Sequence, residues 1–212
     1  MQTEERVRAR VAAPIAARPR RHRFGGGASG NDRLTSITGA VLLVLLAVEG
    51  ATIPFLRGLL TVHVFVGMLL LGPVALKLAS TGYRFLRYYG GRPEYVRRGP
   101  PAPAMRFFVA PVLVASTVTL FGTGVGLIAF GPGRGLMLGL HKASFIVWFG
   151  AMAIHVLAYL GRAMRHAFAD YGSHRIAGVA LRHILVAGAL VAGIIVAVLT
   201  LPLAGPWHHW RH

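Results

Sequence analysis

The chain predicts an all-α fold: a polytopic transmembrane bundle of five helices. Three observations carry that expectation. Of its 212 residues 55% are hydrophobic and 14% charged, with a mean hydropathy of +0.59, well outside the balance of a soluble globular domain. Several apolar runs reach the roughly 20 residues that cross a bilayer as helix, and they are rich in Leu, Val, Ala and Gly without the alternation of a lipid-facing strand. Finally, the basic residues fall between and before those runs in a strongly lopsided way.

Residues 1–33 hold eight arginines, two prolines and Gly25-Gly26-Gly27, with no apolar core of signal-peptide length. They read as a disordered cytoplasmic tail that fixes orientation and touches anionic lipid. Residues 34–205 form the transmembrane domain, and 206–212 a short external tail.

Helix 1 is expected from about Ser36 to Leu56. It carries Glu49 roughly two-thirds of the way across, where a lone carboxylate must be protonated or paired. The short link Phe55-Leu56-Arg57-Gly58 makes helices 1 and 2 an antiparallel hairpin. Arg57 is placed to reach back to Glu49. Helix 2 runs from about Leu59 towards Tyr83 with His63 in its first turns, then Gly67, Pro73, which should kink it, and Lys77. A basic, aromatic and proline-rich cytoplasmic loop follows to Arg106.

Helix 3 spans about Phe107–Phe130, with the cluster Gly122-Thr123-Gly124-Val125-Gly126 in its second half. The turn Gly131-Pro132-Gly133-Arg134-Gly135 leads into helix 4, which ends near Gly161. A second basic loop from Arg162 to His174 precedes helix 5, expected over about Ala177–Leu203. Counted outside the spans, Lys and Arg number 18 on one side and 4 on the other. The positive-inside rule therefore places the N-terminus in the cytoplasm and the C-terminus outside, in a cytoplasmic (inner) membrane.

The chemistry rests on imidazoles. His141 and His155 lie fourteen residues apart on helix 4, nearly four whole turns and about 21 Å, so both rings leave one face at two depths. Lys77 follows His63 at the same interval. Since helices 2 and 4 both run inward, His63 and His141 share a level near the outer surface. Facing imidazoles on two parallel, non-adjacent helices can supply both axial ligands of a haem iron, and such an iron has no vacant position for oxygen. Gly50, Gly67, Gly122, Gly124 and Gly126 lie at matching depth and would give a porphyrin room, although glycine also serves close helix packing.

This pattern resembles the membrane di-haem b-type cytochromes, including respiratory cytochrome b subunits and ferric-reductase-like proteins, over roughly residues 36–161. The resemblance implies that helices 1–4 form a haem-binding four-helix bundle, with haem b held at the outer level by His63 and His141 as metal ligands. It implies a second haem at the inner level, where His155 matches and helix 2 departs with Lys77. Three readings of the inner site stand open: Lys77 as a neutral amine ligand, His183 on helix 5 as the partner of His155, or no inner haem, with His155 hydrogen-bonded and Lys77 snorkelling to the headgroups.

The expected function is that of an electron-carrying membrane subunit rather than a complete enzyme, working between a quinol or a partner redox subunit and an acceptor. Glu49 is the candidate catalytic residue, as acceptor of a proton released by quinol. The alternative is a haem-free membrane scaffold or small transporter in which Glu49, Lys77 and His155 form one internal polar network. Cysteine is absent, which excludes thiolate-held zinc, iron–sulfur clusters and covalent haem. No Gly-x-Gly-x-x-Gly after a strand is present, so nicotinamide or flavin chemistry would belong elsewhere. The charge of +17 is explained by topology, without nucleic acid as a partner. His208, His209 and His212 form a terminal cluster, which Trp207 and Trp210 mark first as an interfacial belt.

Overall fold

The computed structural model describes residues 26–133, 135–169 and 176–209. Residues 1–25 of the expected tail and His212 of the terminal cluster lie outside them. Five long helices make up the fold: α1 (Gly27–Thr52), α2 (Leu56–Tyr89), α3 (Ala110–Phe130), α4 (Gly135–Phe168) and α5 (Val179–Thr200). Among the described residues there is no strand.

Four continuous helical runs, Gly27–Tyr89, Met105–Phe130, Gly135–Phe168 and Val179–His208, are long and apolar enough to cross a membrane. The chain has the build of a multi-pass membrane protein. The first run is a hairpin, because Asn31 Nδ2 donates to the Ser80 carbonyl at 3.0 Å near one end of it and Glu49 meets His63 near the other. Its bend is a single 3-10 turn, Ile53–Phe55, followed by non-helical backbone at Leu59. Backbone continuity therefore hides a reversal that the short link demanded.

Helix α1 begins at Gly27, nine residues before the expected Ser36. The polar residues that read as tail are used instead to fasten the basic end of the bundle. Asp32 accepts from Arg84 Nη1 at 2.9 Å and from Arg98, which also donates to Ser29, while Arg33 Nη1 donates to the Ala169 carbonyl at 3.3 Å. The loop that Arg98 anchors is not a plain coil. It contains a short helix, Pro93–Val96, whose Tyr95 is 4% exposed. Burial, with Tyr83 beside it, pushes the Tyr95 phenol up to about 12, so it stays neutral.

Helix α4 runs a further two turns past Gly161, and α2 reaches Tyr89. Pro73 sits buried within α2 without breaking its helical dihedrals, so the expected kink does not interrupt the register there. Proline has no N–H to give the carbonyl four residues back, that of Leu69. That carbonyl instead faces α5 at Gly193, where an added Cβ would lie 2.1 Å from it; one added at Gly72 would lie 2.0 Å from the Ala189 carbonyl. Helices α2 and α5 thus cross backbone to backbone, each contributing a glycine at the contact.

Around the bundle, α1 packs on α2 and on α4, and α4 packs on α3. α2 and α3 touch only lightly, which puts α2 and α4 on a diagonal, while α5 lies outside the four, mainly against α2. The outward faces stay apolar and bare, as with Phe149, Leu157 and Leu199, the composition a hydrocarbon solvent selects. Past α5, a 3-10 turn (Leu201–Ala204) and a short helix (Gly205–His208) fold back over the end of the bundle. Trp207 Nε1 donates there to the Leu127 carbonyl at 3.2 Å, and His208 Nε2 lies 3.3 Å from Thr61 Oγ1. The start of the segment expected as an external tail is therefore docked.

Candidate functional site

The two diagonal helices carry the residues singled out in the sequence. His63 and His141 lie close enough to interact electrostatically, and so do Lys77 and His155. Two polar levels thus exist inside an apolar bundle, one near each end.

At the first level both imidazoles are held by the same ring atom. His63 Nδ1 is 3.0 Å from Glu49 Oε1 and 2.9 Å from Thr52 Oγ1. His141 Nδ1 is 3.1 Å from the Leu120 carbonyl and 3.1 Å from Thr123 Oγ1. A carbonyl oxygen only accepts, so the His141 proton is assigned to Nδ1; a carboxylate imposes the same tautomer on His63. Each ring is then left with the Nε2 lone pair, the donor a metal takes. Backing of this kind, an imidazole N–H against a carbonyl or carboxylate, accompanies nearly all metal-ligating histidines.

Glu49 does not pair with Arg57, which is exposed at the bend and makes no ion pair with it. The hairpin puts Glu49 opposite His63 instead, and Glu49 Oε2 is buried without a hydrogen-bond partner. Two of the five glycines expected to make room meet the polar groups of this level. A Cβ on Gly124 would come 3.2 Å from His141 Cε1, and one on Gly67 3.3 Å from Glu49 Oε1. They clear space for the ring and its neighbour's carboxylate. Gly50 is a correction: it is exposed, and a Cβ added there would meet nothing within 4 Å, so no close approach at this level requires a glycine.

At the second level Lys77 Nζ donates to the Thr35 carbonyl at 2.7 Å, and Thr35 Oγ1 donates to Ser80 Oγ at 3.0 Å. The His155 ring lies 5.1 Å from that of Tyr159, tilted by 48° to it. Of the two rivals for the place opposite His155, Lys77 is the one brought to it. His183 sits on α5, which packs outside the bundle mainly on α2. The single network of Glu49, Lys77 and His155 does not form either, because Glu49 and Lys77 belong to separate nodes fourteen residues apart along α2.

No known family model, characterised protein or solved structure matches the chain. Among the described residues no three His, Cys, Asp or Glu side chains converge as a metal site. A haem asks for only two, since the porphyrin supplies four nitrogens.

Sequence reasoning missed Thr52, Thr123 and the Leu120 carbonyl as ring holders, and Thr35 and Ser80 around Lys77. A signal for the first two existed. Thr52 and Thr123 are polar residues in apolar helices, each equally far from a turn, within a few residues, as the histidine it meets.

Proposed function

We propose that this protein is a b-type cytochrome subunit that carries electrons in the membrane on one haem b, held between α2 and α4 by Nε2 of His63 and Nε2 of His141. The observation that carries the proposal is the matched backing of both rings at Nδ1, on diagonal helices at one level. Two imidazoles that each offer a lone pair cannot hydrogen-bond to each other through those atoms, and an electrophile between them resolves the conflict.

The bound group supplies one-electron exchange with a closed coordination sphere. The chain supplies position and field. Leu120 and Thr123 fix the plane of His141, Glu49 and Thr52 fix that of His63, and the apolar cluster of Leu42, Val66 and Leu70 with Phe121, between α1, α2 and α3, keeps water away. Electrons would come from a quinol or a partner redox subunit. At the second level the amine of Lys77 is already engaged by Thr35, and this proposal stops at one haem.

An absorption spectrum of the purified, haem-supplied protein tests the reading. A sharp Soret band with α and β bands that intensify with dithionite is the expected result, and a colourless protein overturns it.

The Glu49–His63 contact gives the carboxylate a positioning role here, in place of proton acceptance. Removing it with Glu49→Leu should weaken haem binding about 10–100-fold, the usual cost of losing the partner behind a metal-ligating imidazole. Glu49→Gln keeps an acceptor oxygen but drops the charge, so haem content should hold while the midpoint potential rises. A haem titration and a redox titration of the two variants separate these effects.

A further inference from the structure

We infer that the groove between α3 and α4 binds one anionic phospholipid, with an acyl chain in the groove and its phosphate on Arg162 and Arg165. The groove is lined by Phe108 and Val109 from the π-turn before α3, by Val112 from α3 and by Val147, Ala151 and Ile154 from α4, and is a shallow, open space of about 260 Å³. That is below the roughly 300–1,000 Å³ of pockets for compact ring-bearing ligands, and it lies open along one side, as a site for a hydrocarbon chain arriving from the bilayer would.

Its register on α4 leads to charge. Ala151 to Arg162 and Ile154 to Arg165 are each eleven residues, close to three whole turns, so the stripe that lines the groove runs on into two arginines about 16 Å further along. Both arginines are exposed, and among the described residues no carboxylate pairs with either. Arg162 lies over the Tyr159 ring at 5.6 Å, which directs the guanidinium along the helix surface. The contrast with Arg84 and Arg98 is informative, since both of those pair with Asp32.

An apolar slot continued by two guanidinium groups that no carboxylate among the described residues pairs with fits a ligand with a hydrocarbon tail and a negative head. Guanidinium binds phosphate in bidentate fashion, whereas the extra cation of a zwitterionic head would be repelled by the second arginine. The π-turn Met105–Val109 at the start of α3 widens the helix where Phe108 and Val109 line the groove, a distortion often found at functional positions. The site is separate from the proposed haem ligands: the groove takes the middle of α4, and Arg162 and Arg165 lie towards the end of the helix opposite His141.

The test uses the full chain in detergent, delipidated and offered phosphatidylglycerol or phosphatidylcholine with identical chains, with bound lipid counted by native mass spectrometry. The parent should retain the anionic lipid at least about tenfold better. Arg162→Gln with Arg165→Gln should erase that preference, and Val112→Trp, at a half-exposed position, should fill the groove and lower retention of both lipids. Inorganic phosphate alone should not displace the lipid. Equal retention in the parent, a preference that survives the double arginine variant, an unchanged load in Val112→Trp, or full displacement by phosphate would each overturn the inference. A haem spectrum recorded on the same samples reports the other site separately and should be unaltered by all three substitutions.

Discussion

His141→Ala is expected to abolish the low-spin haem spectrum outright, and His63→Ala to do the same. Loss of either Nε2 leaves the iron five-coordinate or frees the cofactor. The two substitutions should differ in what they leave behind. His141→Ala removes a ring held by one neutral carbonyl and one hydroxyl, and those groups on α3 fall back on their own helix: Thr123 Oγ1 already bonds the Thr119 carbonyl at 2.6 Å. His63→Ala strands the Glu49 carboxylate, whose Oε2 is already without a partner. An unpaired buried carboxylate costs several kcal/mol, so His63→Ala should also lower thermal stability. Haem content, the α-band of the dithionite-reduced protein and a melting curve, measured on both variants, check this pair of outcomes. Unaltered low-spin spectra in both would show that the wrong residues have been paired.

The level at which these residues meet was legible, and their partners were nearly so. Helical hairpins pair residues equidistant from the turn. Glu49 and His63 each stand seven residues from Leu56, Thr35 and Lys77 each twenty-one, and Thr123 and His141 each nine from Pro132. Applied to the sequence, that symmetry gives Glu49 to His63 and Thr35 to Lys77, contacts that the attraction of opposite charges, which favoured Arg57 for Glu49, concealed. Arg57 sits in the bend itself, where water is available and a buried pairing gains nothing. The five helices and their order followed from apolar run length, but the start of α1 did not. Asn31, Asp32 and Arg33 look like tail until Ser80, Arg84 and Arg98 are known to lie across from them. The place of α5 was also hidden. Hydropathy says that a helix is in the membrane and says nothing about which neighbour it packs against.

That neighbour is chosen by glycine, and Gly193→Leu is the substitution expected to damage the fold most. Lipid is as apolar as a leucine side chain, so α5 gains nothing from hydrophobic burial against α2; close van der Waals contact and polar contacts between backbones must hold it. Closeness is available only where both surfaces lack side chains, and the Gly72 and Gly193 crossing provides it. A Cβ at Gly193 would lie 2.1 Å from the Leu69 carbonyl oxygen and 3.0 Å from its carbon. The obstacle is backbone within a proline-stiffened helix, so no side-chain rotamer relieves it. Overpacking in well-filled cores costs roughly 1–3 kcal/mol where side chains can shift. With backbone in the way, the upper end, about 3 kcal/mol, is the expected minimum, or roughly 6–12 °C in melting temperature for a chain of this size. Gly188→Leu is the matched control: it lies on the same helix with nothing within 4 Å of an added Cβ, and should leave the melt within a degree or two of the parent. Because α5 lies outside the four helices that hold His63 and His141, Gly193→Leu should lower stability while the folded fraction keeps its haem spectrum. Thermal melts of the two variants followed by far-ultraviolet circular dichroism, with the Soret band recorded alongside, decide it: equal melts would show that α5 is held by something other than this crossing.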